Sequence, residues 1–176
     1  METIPLPSYK ECIDILVKAG CDKGVIEHSK AVTELAVKMG SLCGANIRLI
    51  EVGALLHDIG RSRTHTIRHA VEGAEILKEL KLPPEVIHIV ERHIGAGIPK
   101  EDTKKLGLPH KDYIPETLEE KIVAHADNLI GGARREKVES ALKKWRIEGL
   151  EDGARRIENL HNELCKLCGI DIDEIK

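Results

Sequence analysis

Phenylalanine and glutamine are absent from the 176 residues, and Trp145, Tyr9 and Tyr113 are the only large aromatics. A protein that grips single strands by stacking successive bases needs a row of such rings, so that class is a poor fit. Charge of one sign is also lacking. Lys and Arg number 27 against 30 Asp and Glu, a net charge of −3. Without a global basic field a nucleic-acid polymer is not an expected partner, and any phosphate must be held locally. No apolar run reaches the ~20 residues of a membrane span. The opening Met1-Glu2-Thr3-Ile4-Pro5 lacks the basic-then-apolar pattern of a secretory signal, which leads us to expect a cytoplasmic protein with no membrane partner. Glycine-rich nucleotide fingerprints, nucleophile elbows and internal repeats are missing too. Five cysteines, an odd number, are expected as thiols in a reducing compartment. The missing glutamine, set beside abundant Glu, Lys and Arg, leans toward a heat-adapted source.

A chain of this length is expected to form one domain, 1–176, with a core that needs no metal staple, so a bound metal would serve chemistry rather than folding. The punctuation reads as all-α, with about seven or eight helices. Ser8 and Glu11 form a capping box, and Gly20 is a stop. Apolar positions recur at helical spacing from about Asp22 to Met39. Asn46 caps a nearly continuous apolar helix that ends at His57-Asp58, where Gly60 is expected in the left-handed conformation. Further helices start at His69, Pro84 and Pro115, the last ended by Gly131-Gly132. Residues 94–114, rich in Gly, Pro and Lys, are expected to be a surface loop placed like a lid over anionic substrates. The rest reads as two helices, about 136–147 and 150–168, forming a buttress or a homodimer surface. Cys165, Cys168 and His161 give three local zinc donors where a closed structural site takes four, so these cysteines read as small core residues.

The chemistry concentrates elsewhere. His57-Asp58 sets a neutral nitrogen donor beside a carboxylate, a pair suited to divalent transition metals. A carboxylate at a helix C-terminus opposes the macrodipole, so Asp58 calls for a compensating cation. His28 shares a stripe with Val32, Leu35 and Met39, and His93 shares one with Val86, Ile89 and Val90, whereas His88 falls off that face as a bystander. Asp127 sits between Val123 and Ile130 on an apolar stripe. An unpaired buried carboxylate costs several kcal/mol, so it must be paired, protonated or metal-bound. His125 and Asn128 flank it as prospective supporting partners.

The order His28, His57-Asp58, Asp127, with Ile59 and Gly60 completing Leu55-Leu56-His57-Asp58-Ile59-Gly60, resembles the HD-domain superfamily of metal-dependent phosphohydrolases in its HDIG version. The resemblance covers about residues 22–135, leaving 136–176 as the C-terminal buttress. It implies an all-α HD-type bundle in which His28, His57, Asp58 and Asp127 hold one divalent ion. His69 and its neighbours resemble the segment that supplies an extra ligand in two-metal relatives. Adding His69 and His93 gives donors for a second ion, with Asp58 as the bridge. The ions expected are Fe, Mn, Co or Ni. With His57 and Asp58 at the catalytic centre, the implied reaction is hydrolysis of a phosphomonoester, phosphodiester or phosphoanhydride, most plausibly of a nucleotide, by a metal-activated water. Arg61, where relatives often carry lysine, and Arg134, just beyond the last aspartate, are the expected phosphate contacts. The extra-histidine pattern is similar to bacterial HD enzymes that cleave symmetrical dinucleoside tetraphosphates, which carries over the reaction class and not the substrate. Competing readings are a catalytically silent nucleotide- or metal-binding regulatory HD domain, an HD-fold oxygenase with an iron pair, and a metal-free helical protein.

Overall fold

The computed structural model describes residues 5–176, so Met1–Ile4 of the stretch read against a secretory signal lie outside the described residues. The chain is all-α, as expected. Its helices are α1 (Tyr9–Ala19), α2 (Lys23–Cys43), α3 (Ile47–Leu56), α4 (His69–Glu79), α5 (Pro84–Glu91), α6 (Lys100–Thr103), α7 (Leu118–Asn128), α8 (Val138–Ile147) and α9 (Glu151–Cys168). Two 3-10 turns, Ile59–Ser62 and Ile172–Glu174, and a hairpin of β1 (Ile130–Gly131) with β2 (Arg134–Arg135) complete the described residues. None of the helices is long and apolar enough to cross a membrane.

The caps explain where the helices begin. The Glu11 carboxylate accepts the Ser8 N–H at 2.7 Å, and Ser8 Oγ accepts the Glu11 N–H, so two otherwise orphaned donors are satisfied reciprocally. Asn46 Oδ1 accepts from Leu49 N–H at the start of α3. Helix α3 is central because both of its sides are apolar. Ile50 and Ala54 face a core built with α2, α7 and α9, while Val52, Leu55 and Leu56 face one built with α1, α4 and α5. Full burial of each such leucine contributes about 1.5–3 kcal/mol, which fixes the axial position of the His57-Asp58 pair at the helix end.

Several expectations are corrected. Gly60 is not among the glycines with positive φ. It is required for close approach instead, since a Cβ there would collide with the His69 carbonyl oxygen and the Gly73 nitrogen. Helix α7 begins at Leu118 under a Thr117 cap, three residues after Pro115. Gly131 and Gly132 do not end a helix but turn the β1–β2 hairpin, Gly132 at φ 62°. Residues 94–114 are not structureless. They contain α6, an Ile98–Tyr113 bridge, and a small core of Ile98, Leu108 and Tyr113 against Val71.

The cysteines are not all thiols. Cys43 of α2 and Cys168 of α9 form a disulfide across a sequence separation of 125, leaving Cys12, Cys21 and Cys165 free. The expectation of thiols assumed a reducing compartment, yet heat-adapted intracellular proteins are the exception to that rule, and the composition already leaned that way. On α9, Ile157, Leu160 and Leu164 are buried, whereas Leu167 stays exposed.

Candidate metal centre

Five helices bring six side chains to one point. His28 lies in the second turn of α2, His57 and Asp58 close α3, His69 opens α4, His93 follows α5 by two residues, and Asp127 is in the last turn of α7. Asp58 is the hub. Its Oδ2 lies 3.6 Å from His57 Nε2 and 3.8 Å from His28 Nε2, and its Oδ1 lies 3.2 Å from His69 Nε2 and 3.4 Å from His93 Nε2. Asp127 Oδ1 is 2.9 Å from His28 Nε2 and 3.4 Å from His57 Nε2. The donors thus fall into two groups sharing Asp58, with His28, His57 and Asp127 on one oxygen's side and His69 and His93 on the other's.

The backbone sets the tautomer of each ring. His57 Nδ1–H donates to the Ala54 carbonyl at 2.7 Å, His69 Nδ1–H to Thr66 at 2.8 Å and His93 Nδ1–H to Val90 at 2.6 Å, while His28 Nδ1–H donates to Gly132 across the hairpin. Each ring's Nε2 faces the carboxylates, where it can give a proton, as His28 Nε2 does to Asp127 Oδ1 at 2.9 Å, or without that proton offer a lone pair to a metal. The consequence is a standing conflict. His69 Nε2 and His93 Nε2 are 3.1 Å apart, a contact that needs one shared proton when no cation is present, and His57 Nε2 is fully buried with no hydrogen-bond partner. Such a set is costly unless positive charge sits among it.

The electrostatics agree. Burial alone would push His57 down, but the carboxylates of Asp58 and Asp127 outweigh it and raise it to about 9. Burial would push both aspartates up, yet His57, with His69 and His93 at Asp58 and His28 at Asp127, holds them below the ordinary carboxylate range. Burial dominates at His93 and lowers it. Arg61 supplies part of the compensating charge for Asp58 at the helix end, its Nε–H donating to Asp58 Oδ2 at 2.9 Å. A divalent cation fits this set because it would satisfy the converging lone pairs that the protein alone leaves facing one another.

His28 and Asp127 are less buried than their apolar stripes imply, with side chains 16% and 22% exposed, and Asp127 stands at the rim of an open cleft of about 250 Å³ beside the centre. Arg61, His69, His93 and Asp127 line it from one side, and Asn128, Lys144 and Trp145 close it from the other. Lys144 and Trp145 were missed in the sequence, where α8 reads only as a buttress. The signal was faint, a lysine beside the chain's one tryptophan. Arg134 does not line this cleft; it stands exposed on β2. His125 is no partner of Asp127. It is buried and turned the other way, Nε2 on His161 Nδ1 at 2.9 Å, and burial together with His161 pushes it down to about 3. Asn128 donates to the Gly95 carbonyl at 3.0 Å, which holds the loop that carries the cleft wall. His88 is half-buried and outside the centre, as expected of a bystander.

Comparison with known proteins gives the geometry a context. Residues 25–131 match the family model described as HD domain. A tRNA (cytidine(56)-2'-O)-methyltransferase of Thermoplasma volcanium is 49% identical over 170 residues, which make up 97% of this chain and 50% of that protein; the chain therefore spans about half of that relative's length. A ribonuclease Y of Alkaliphilus metalliredigens is 32% identical over 155 residues, 85% of this chain and 29% of the ribonuclease. In fold, the HD domain of the Listeria monocytogenes phosphodiesterase PgpH, solved in complex with cyclic-di-AMP, superposes with a TM-score of 0.56 at 20% identity, covering 94% of this chain and 99% of that one.

Proposed function

This chain belongs to the HD-domain family, and on that premise we propose that it is a metal-dependent phosphohydrolase that cleaves a phosphomonoester, phosphodiester or phosphoanhydride bond of a nucleotide. The observation that carries the reading is the convergence of four imidazole Nε2 atoms and two carboxylates on one point, every ring fixed through its Nδ1–H. In this reading His28, His57, Asp58 and Asp127 would hold one ion, and His69 and His93, sharing Asp58, would hold a second. Histidine-rich ligation favours Fe, Mn, Co or Ni over Mg. When bound, such ions supply a water acidified toward neutrality and positive charge for the phosphate oxygens.

The protein's own side chains do the rest. Arg61, fixed on Asp58 through Nε, keeps the outer edge of its guanidinium for a phosphate oxygen at the cleft mouth. Lys144 faces it from α8 and takes over the phosphate role expected of Arg134. Its pair with Glu136, at 2.7 Å and with the lysine side chain 57% exposed, is of the kind that contributes about 0–1 kcal/mol, so exchanging Glu136 for a phosphate costs little. The indole of Trp145, held between Gly95 and Gly153, lines the cleft as an apolar wall for a base.

A second reading concerns the carrier of the phosphate. Two relatives, a methyltransferase and a ribonuclease, act by name on RNA, which favours a phosphate on an RNA end over a free nucleotide. One experiment separates these. The chain, loaded in turn with Mn²⁺, Fe²⁺, Co²⁺ and Ni²⁺, is assayed for phosphate or phosphodiester cleavage on mononucleotides, cyclic dinucleotides, dinucleoside polyphosphates and short RNAs with 2′,3′-cyclic or 3′-phosphate ends. Turnover of any of these that is lost in Asp58→Ala supports the hydrolase, and preference for the RNA ends supports the second reading. Metal loading and nucleotide binding with no turnover on the whole panel would establish a silent regulatory domain in its place.

A further inference from the structure

A second cluster of metal-grade donors lies outside the Asp58 centre. His161 and Cys165 stand one turn apart on α9, and Asp171 begins the turn that follows it. His161 Nε2 is 3.5 Å from Cys165 Sγ and 3.5 Å from Asp171 Oδ1, and Cys165 Sγ is 3.9 Å from that same oxygen. Zinc bond lengths of roughly 2.3 Å to sulfur, 2.05 Å to nitrogen and 2.1 Å to oxygen at tetrahedral angles imply edges of about 3.6 Å (S–N), 3.4 Å (N–O) and 3.6 Å (S–O). The observed triangle matches each edge to within about 0.3 Å, so one tetrahedral ion would sit on it with almost no side-chain movement. We propose that His161, Cys165 and Asp171 form a zinc site that fastens the C-terminal end of α9 to the 3-10 turn after it, with the fourth position open to water.

The surroundings are those of a supported site. His161 Nδ1 is engaged by His125 Nε2 at 2.9 Å, so the ring's orientation is set from behind and Nε2 is aimed at the thiol and the acid. Cys165 Sγ accepts the Ile172 backbone N–H at 3.3 Å, and Asp171 Oδ1 accepts the Asp173 N–H at 3.0 Å, contacts that hold each donor in place. A shallow surface cleft of about 480 Å³, lined by the three donors, gives an ion its way in. Cys168 takes no part, since its sulfur is bonded to Cys43. Binding would release the Cys165 thiol proton to solvent. Mixed sulfur and nitrogen donors at tetrahedral spacing select zinc over the hard cations.

Cobalt(II) provides the test, because a thiolate–cobalt bond gives near-ultraviolet charge-transfer absorption that nitrogen and oxygen ligands do not, and the Asp58 centre contains no cysteine. The full chain, stripped of metal and kept without reductant so that Cys43–Cys168 persists, is titrated with Co²⁺. The expected result is one charge-transfer band that saturates at one equivalent in Asp58→Ala, develops in the wild type alongside filling of the Asp58 centre, and is absent in Cys165→Ser. The band should vanish on adding Zn²⁺, which should also raise the Tm of Asp58→Ala but not of the Asp58→Ala, Cys165→Ser double variant. Asp171→Asn, an exposed and conservative change, covers the case in which Cys165→Ser folds poorly, and is expected to weaken Co²⁺ binding at least ~10-fold. No band in the wild type, a band that survives Cys165→Ser, or unchanged affinity in Asp171→Asn would each overturn the site.

Discussion

The Asp58 centre draws its six donors from five helices, whereas the cluster at the end of α9 takes two donors from a single helical turn and the third from the next bend. Both orient imidazoles from behind, but through different means. Backbone carbonyls fix all four rings of the first, and a second buried imidazole fixes the one ring of the other. The first arrangement therefore exists only if α2, α3, α4, α5 and α7 are docked in register. The second needs little more than α9 and its tail, since residues four apart on a helix are neighbours in any case. A site assembled by the whole fold is rigid and sensitive to packing; a local one tolerates distant change.

The largest effect expected from breaking the first region is Asp58→Ala. Removing the bridge should abolish both metal equivalents at the centre and lower turnover at least ~10³-fold, beyond the 10–100-fold typical of losing an outer supporting partner. His93→Ala should remove at most one equivalent. Metal analysis of the two variants checks this, and equal, full retention in both would contradict the shared-carboxylate assignment.

Gly60→Ala sharpens the same contrast through packing alone. Its Cβ would meet the backbone of His69 and Gly73, which cannot rotate away as a side chain tip would. The 3-10 turn must move off α4, at a cost of about 1–3 kcal/mol for overpacking. His69 would move with it, and a displacement near 1 Å is enough to cost ~100-fold in rate. Thermal melts and turnover measured on the same preparation should show activity falling far more than stability, with Co²⁺ binding at Cys165 unaffected.

These two regions also differ in how far the sequence reveals them. Most helices of the first region were legible because apolar periodicity, Asn46 and Pro84 act locally. The candidate ligands His28, His93 and Asp127 stood out because each interrupts an apolar stripe. What was not legible depended on distance. Nothing near Cys43 announces Cys168, and nothing in α8 announces that Lys144 and Trp145 reach the cleft, because both relations arise from packing of remote segments. Gly60 was misjudged for a related reason, since its local context suggests a cap while its actual constraint comes from α4. Asp171 was overlooked because it follows Gly169, past the helical pattern that organises His161 and Cys165.

Proton and metal compete for the first region. His57, ordinarily near 6.5, is held at about 9 in the metal-free chain, so its contribution is fully present below ~6.5 and is lost as pH rises through 9. Asp58 and Asp127 are depressed, so their contributions are present above ~3.9 and are lost only in acid. Metal-free protein should therefore lose stability, on the order of a few kcal/mol, between pH 6.5 and 9. Metal-loaded protein should stay nearly flat there, because a cation replaces the proton. Melting curves with and without chelator would show it, and a metal-free form that grows more stable over that interval would break the account.

Lys144→Ala is expected to have the smallest effect and asks how far the first region extends. Lys144 is distant in sequence from every proposed ligand and sits on α8, which packs with α9, yet it lines the cleft beside Asp127. If its ammonium holds a phosphate in both the bound substrate and the transition state, removing it weakens both alike, so KM should rise about 10-fold with kcat nearly unchanged. Stability should hardly move, because the exposed Glu136 pair it leaves is worth at most ~1 kcal/mol. A fall in kcat with KM unchanged would mean that Lys144 acts on the reacting phosphate itself, and no change in either would confine the cleft's chemistry to the five helices that carry the ligands.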